Sequence, residues 1–60
     1  MRKLLRKYRG KRSQAEMARM YNVKQQTWCS WENGQSVPRA KTLKRLSKDT
    51  GFSVNELFFL

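Results

Sequence analysis

The sequence predicts an all-α fold, a compact bundle of about five short helices. Three observations lead to it. Apolar residues recur at helical spacing in several short segments, two Ser-x-x-Glu motifs mark helix starts, and glycines at 10, 34 and 51 supply stops. No useful length of chain alternates apolar and polar residues with period two, and the one strand-like run, 57–60, is too short to build a sheet.

Each element has its own local reason. A first helix is expected over Arg2 to Arg9, with Leu4, Leu5 and Tyr8 at helical spacing and Gly10 as a left-handed terminator. Ser13 to Glu16 reads as a capping box, in which Ser13 accepts from the Glu16 amide and Glu16 reaches back to the amide of Ser13. The second helix begins there and places Met17, Ala18 and Tyr21 on one face. Asn22, one of the few non-glycine types that tolerate positive φ, ends it, and Val23 turns inward. A third helix runs from Gln25 to Asn33, with Trp28 and Trp31 on one side and Gln26, Cys29, Ser30 and Asn33 on the other. Gly34 stops it, and 35–38 is a loop because Pro38 disfavours helix at Val37. The fourth helix covers Arg39 to Thr50, with Ala40, Leu43 and Leu46 on its apolar face and Gly51 at its end. Ser53 and Glu56 form a second capping box, flanked by Phe52 and Leu57 as a hydrophobic staple, and open a short last helix. Phe58 is expected in the core, whereas Phe59 and Leu60 either fray or pack in a dimer.

Composition narrows the function. Sixty residues make room for one domain, 1–60, with a modest core, since a chain of this size buries only about 60% of its unfolded surface. That argues against an elaborate catalytic pocket. Fourteen Lys and Arg against four Asp and Glu give a net charge of +10, which calls for a polyanionic partner, either nucleic acid or an anionic membrane surface. One cysteine forms no intramolecular disulfide, and without histidine a zinc site lacks ligands. No catalytic group, metal, cofactor or small-molecule ligand is expected. Without an apolar leader or a long uncharged run, the expected location is the cytoplasm, on the nucleoid, with the thiol reduced.

Segment 14–33 has the layout of a helix-turn-helix: two short helices, a tight turn, and a second helix that shows polar side chains opposite an apolar face. Ala18 is small where the helices cross, Asn22 accepts the turn, and Met17, Tyr21, Val23, Trp28 and Trp31 anchor the pair. The run Ser13-Gln14-Ala15-Glu16-Met17-Ala18, the segment Gln25-Gln26-Thr27 and the segment Trp31-Glu32-Asn33-Gly34, followed by Pro38, resemble the DNA-binding domain of the lambdoid phage repressor and Cro family. The resemblance extends from Leu4 to Phe58, and the spacing from Gln14 to Gly34 needs no gap.

That resemblance implies a recognition helix at 25–33 lying in the major groove of duplex DNA. Gln25 and Gln26 take the main base-reading positions, and a glutamine amide can pair with the N6/N7 edge of adenine. Ser30, one turn after Gln26, Thr27 and the intervening Cys29 are further base contacts. Gln14 matches a phosphate-binding glutamine at the start of the second helix, Ser13 stands beside it, and Asn33 also resembles a phosphate contact. Arg39 resembles a basic residue that some relatives direct at the minor groove and is assigned here to the backbone. Lys24 replaces the usual Ser or Thr cap, so the recognition helix either frays at its first residue or gains a phosphate contact. Glu32 is expected to pair with Arg6 or Lys7 of the first helix.

The function that follows is sequence-specific duplex binding by a transcriptional regulator, a repressor of bacterial, phage or mobile-element origin, with weak dimerisation alone or on DNA. Two alternatives share the composition. One is a protein-interaction module such as an antitoxin or small phage modulator on the same scaffold. The other is a cationic membrane-active peptide, disfavoured because caps and stops leave no long amphipathic surface.

Overall fold

A computed structural model describes residues 2–59. Within them the chain forms α1 (Lys3–Arg9), α2 (Gln14–Met20), α3 (Gln25–Asn33), α4 (Ala40–Thr50) and α5 (Val54–Phe58), with no strand. Arg2 and Arg39, expected as first helical residues of α1 and α4, are their N-caps.

The core contains Leu5, Met17, Ala18, Tyr21, Trp28, Trp31, Leu46, Leu57 and Phe58, with Leu4, Tyr8, Val23, Leu43 and Phe52 packed against it. Trp28, completely buried, sits at its centre. Its ring stacks on Tyr21 at 5.6 Å and 20°, and meets Trp31 edge-on at 5.6 Å and 63°. Such aromatic geometries add to the burial term because ring edge and ring face carry opposite partial charge. Ala40 departs from the expected apolar face and is exposed. It stands at the mouth of the loop, before α4 reaches the core, and Pro38 is buried in that region instead.

The end of α2 shows how the turn is made. The Val23 amide donates to Ala18 O at 2.9 Å, and Asn22 between them adopts φ 55°, the one non-glycine positive φ among the described residues. Removing the asparagine side chain's tolerance for that region costs about 1 kcal/mol. Asn22→Ala should therefore lower the urea midpoint accordingly, while Asn22→Gly stays close to the parent. Equal losses in both variants would mean that the side chain, not the backbone conformation, is what matters there.

The two predicted capping boxes differ. Around α5 both halves form, with Glu56 N donating to Ser53 Oγ and Ser53 N to Glu56 Oε1. At α2 only the first half is present: Glu16 N donates to Ser13 Oγ at 3.1 Å, and the Glu16 carboxylate, exposed, makes no return bond. Arg12 finishes α1 from the other side. Its guanidinium donates to the carbonyls of Tyr8 and Arg9 at the end of α1, the second of which also accepts from the Arg12 amide, and lies 5.4 Å from the centre of the Tyr8 ring.

A polar strap joins α1, the end of α2 and α4. Tyr8 and Tyr21 share a hydroxyl–hydroxyl bond of 2.9 Å, Tyr21 donates to Asp49 at 2.8 Å, and Arg45 lies 4.3 Å over the Tyr21 ring with its Nε 3.5 Å from Asp49. Burial first, then the bonds to Tyr8 and Asp49, raise the Tyr21 hydroxyl well above the ordinary tyrosine range, so it stays a neutral donor. Phe58 is buried as expected and Phe59 is exposed. Leu60 lies outside the described residues.

Candidate nucleic-acid interface

The exposed side of α3 is set from beneath by Glu32. This carboxylate is 2% exposed, and four donors converge on it: Arg9 Nε at 2.7 Å, Arg9 Nη2 at 3.3 Å, Gln14 Nε2 at 3.2 Å and the Trp28 indole N–H. Burial opposes its ionisation, but the bonds from Arg9, Trp28 and Gln14 outweigh that and hold its pKa below the usual glutamate value. Glu32 is therefore a fixed anion that ties α1, the start of α2 and α3 together.

The partner of Glu32 on α1 is Arg9, not Arg6 or Lys7 as the sequence led us to expect. Arg9 follows buried Leu5 by four residues and so shares its inward flank, whereas the side chains of Arg6 and Lys7 are exposed. A second structural cation went unrecognised. Arg2 Nη1 donates to Trp31 O at 2.7 Å and Ser36 O at 2.6 Å, its backbone amide donates to Glu32 O, and its guanidinium lies 4.9 Å over the Phe58 ring. It thereby fastens the last turn of α3 to the loop that leads to α4. No periodicity in the sequence marks such a residue, because it precedes the first helix.

With Trp28, Trp31 and Glu32 turned inward, the opposite side of α3 faces solvent. Gln25 and Gln26 are exposed at its first two positions, Thr27, Cys29 and Ser30 are half-buried, and Asn33 is exposed. Gln26, Thr27, Cys29 and Ser30 line one shallow hollow together with Gln35 and Ser36. The later residues of this face are mutually ordered: Asn33 Nδ2 donates to Cys29 Sγ at 3.3 Å, and Ser30 Oγ to Gln35 Oε1 at 3.4 Å. Lys24 makes no side-chain cap, as its identity suggested. The helix still starts cleanly, since Thr27 and Trp28 amides donate to Lys24 O at 3.0 and 3.1 Å.

The flanking positions are placed around this face in different ways. Gln14 opens α2 with one amide hydrogen on Glu32, which orients the side chain and leaves a second N–H for another acceptor. Ser13 is exposed, with its Oγ occupied by the cap bond. Lys24 and Arg39 are exposed, and both line a longer groove between the start of α3 and α4. Of the four acidic residues, Glu32 is buried against Arg9 and Asp49 lies beside Arg45, while Glu16 and Glu56 stand in the first turns of α2 and α5. The exposed face of α3 thus carries amides, hydroxyls and a thiol with cations at its edges and no carboxylate. Among the described residues no helix is long and apolar enough to cross a membrane, and no acidic or sulfur cluster suits a metal ion.

Comparison with curated proteins and with solved structures finds no match. A family model described as helix-turn-helix, of the Cro/C1 type, matches residues 3–57, which spans every helix up to the last residue but one of α5. The matched residues include α2, the positive-φ turn at Asn22 and α3 with its polar outer face. The chain belongs to the Cro/C1-type helix-turn-helix family of DNA-binding regulators.

Proposed function

We propose that the chain reads a specific duplex sequence by laying α3 in the major groove, and that it acts as a transcriptional repressor of bacterial, phage or mobile-element origin. The observation that carries this reading is the opposition across one helix: two indoles buried at 0% and 4% exposure, and two glutamine amides in solvent at its N-terminal end. A major groove admits a helix, and the N-terminal residues of that helix reach base edges first.

The roles then divide by chemistry. Gln25 and Gln26 read adenine edges, Thr27, Ser30 and Cys29 touch neighbouring bases, and Gln14, Ser13, Lys24, Asn33 and Arg39 hold the backbone. Phosphate contacts fix register but carry no sequence information directly, so the two groups should fail differently when removed. A domain of this size contacts few base pairs, and two copies on half-sites about one helical turn apart would raise affinity. The setting proposed is the cytoplasm, on the nucleoid.

The test begins with selection of bound sequences from a random duplex pool, followed by titration of parent and Gln26→Ala on the selected site and on a scrambled duplex. The variant should lose about 1–3 kcal/mol, roughly tenfold to a hundredfold, on the selected site and little on the scrambled one. Equal losses on both duplexes would remove Gln26 from the reading role. Failure of the parent to enrich any sequence would remove the proposed function itself.

A further inference from the structure

We propose that the groove between the start of α3 and α4 holds the sugar-phosphate backbone of the duplex that α3 reads, with Lys41 and Arg45 of α4 as phosphate ligands facing Lys24 and Arg39. This inference rests on the reading given above and extends it to a helix outside the two-helix motif. The groove encloses about 930 Å³, and Lys24, Arg39, Lys41 and Arg45 are among its lining residues, with no aspartate or glutamate among them. It is continuous with the hollow beneath Gln26, because Thr27 and Ser36 line both. A strand leaving the base-reading face by that shared wall enters a channel lined by four cations, of which Arg45 also neighbours the Asp49 carboxylate just outside the lining.

The geometry of α4 separates these cations from its others. Lys41, Lys44, Arg45 and Lys48 of α4 are all exposed, but only Lys41 and Arg45 line the groove. One helix therefore presents two cations to the proposed backbone track and two away from it. Arg45 is already posed: its guanidinium lies over Tyr21 and beside Asp49, yet its side chain keeps 52% exposure. A guanidinium held flat by stacking loses less freedom when it meets a phosphate than an unsupported lysine does. The chemistry recognised is the phosphodiester chain, and contiguity with the glutamine face identifies the duplex under readout as its source.

The experiment compares salt dependence in variants of equal charge. Log affinity falls with log salt by about 0.9 for each phosphate neutralised on duplex DNA. Lys41→Gln should make the slope shallower by about 0.9, and Lys41→Gln/Arg45→Gln by about 1.8, on the selected site and on a scrambled duplex alike. The double variant Lys44→Gln/Lys48→Gln, which removes the same charge from the same helix, should change it by less than about 0.5. The Lys41→Gln single variant leaves the Tyr21–Asp49–Arg45 strap untouched, so its result stands even if Arg45→Gln impairs folding. An unchanged slope for Lys41→Gln, or an equal change in the control pair, overturns the backbone track while leaving Gln26-dependent specificity intact. A parent that binds no duplex overturns both readings at once.

Discussion

Trp28→Ala is expected to abolish folding at 25 °C. The indole is completely buried between Tyr21 and Trp31, and truncating a buried Phe or Trp to Ala typically costs about 3–5 kcal/mol. A chain this short rarely holds more than about 3–5 kcal/mol of net stability, so the loss consumes all of it. Its N–H is also one of the donors that keep Glu32 charged, and a buried carboxylate short of a donor adds a desolvation penalty. Circular dichroism should show most helical signal gone and no cooperative thermal transition. Trp28→Phe keeps the ring and drops the N–H, so it should fold with stability lowered by about 1–3 kcal/mol. A folded, cooperative Trp28→Ala would show that the core is organised around another residue.

Glu32→Ala should have the next largest effect, about 2–4 kcal/mol. Removing one member of a buried ion pair is costly because the other charge is stranded, and the estimate is held below the fully buried range because Arg9 keeps 21% exposure. Three positions lose their acceptor together: Arg9, Gln14 and Trp28. In a denaturant double-mutant cycle, Arg9→Ala/Glu32→Ala should cost less than the sum of the singles, since neither charge is then left alone. The pair also predicts an acid limb. The folded-state pKa of Glu32 is depressed, so its contribution is complete above the unfolded value, about 4.3, and is lost as pH falls through the lower folded value. Stability measured from pH 7 downward should decline in that range, and the decline should be shallower in Glu32→Gln. An identical acid limb in both proteins would place the titrating group elsewhere.

Helix α3 was legible in the sequence because each of its signals was independent. Trp28 and Trp31 fixed the buried side, Gly34 fixed the end, and Gln25 to Asn33 fell where the structure places it. Asn22 was similarly readable, since few residue types accept its backbone conformation. Helix α1 was harder for a physical reason. Its cations surround two adjacent leucines, and only tertiary packing decides that Leu5 is fully buried and that Arg9 follows it inward. Arg2 and Arg12 act as hydrogen-bond donors to helix-end carbonyls, a role set by where the chain passes rather than by spacing. Gln14 illustrates the same limit. Its position at the start of α2 was plain, whereas its bond to Glu32 required the fold.

The site followed from the fold in unequal measure. The sequence placed the polar face of α3 correctly because that face is the complement of the indoles. The groove beside it arises where α4 passes the turn between α2 and α3, a juxtaposition that no local pattern encodes. Lys41 and Arg45 gain a groove wall opposite them only through that passage of the chain.

The central claim is that burying two tryptophans leaves two glutamine amides presented to a groove. A ¹H–¹⁵N NMR titration of the folded domain with its selected duplex addresses it most directly, with the Gln25 and Gln26 side-chain amides followed as individual signals. Those signals and the backbone amides of 24–33 should move, while the Trp28 indole N–H stays near its free position. Perturbation centred on α5 or on the Trp28 indole, with the two glutamine amides unmoved, would contradict the account.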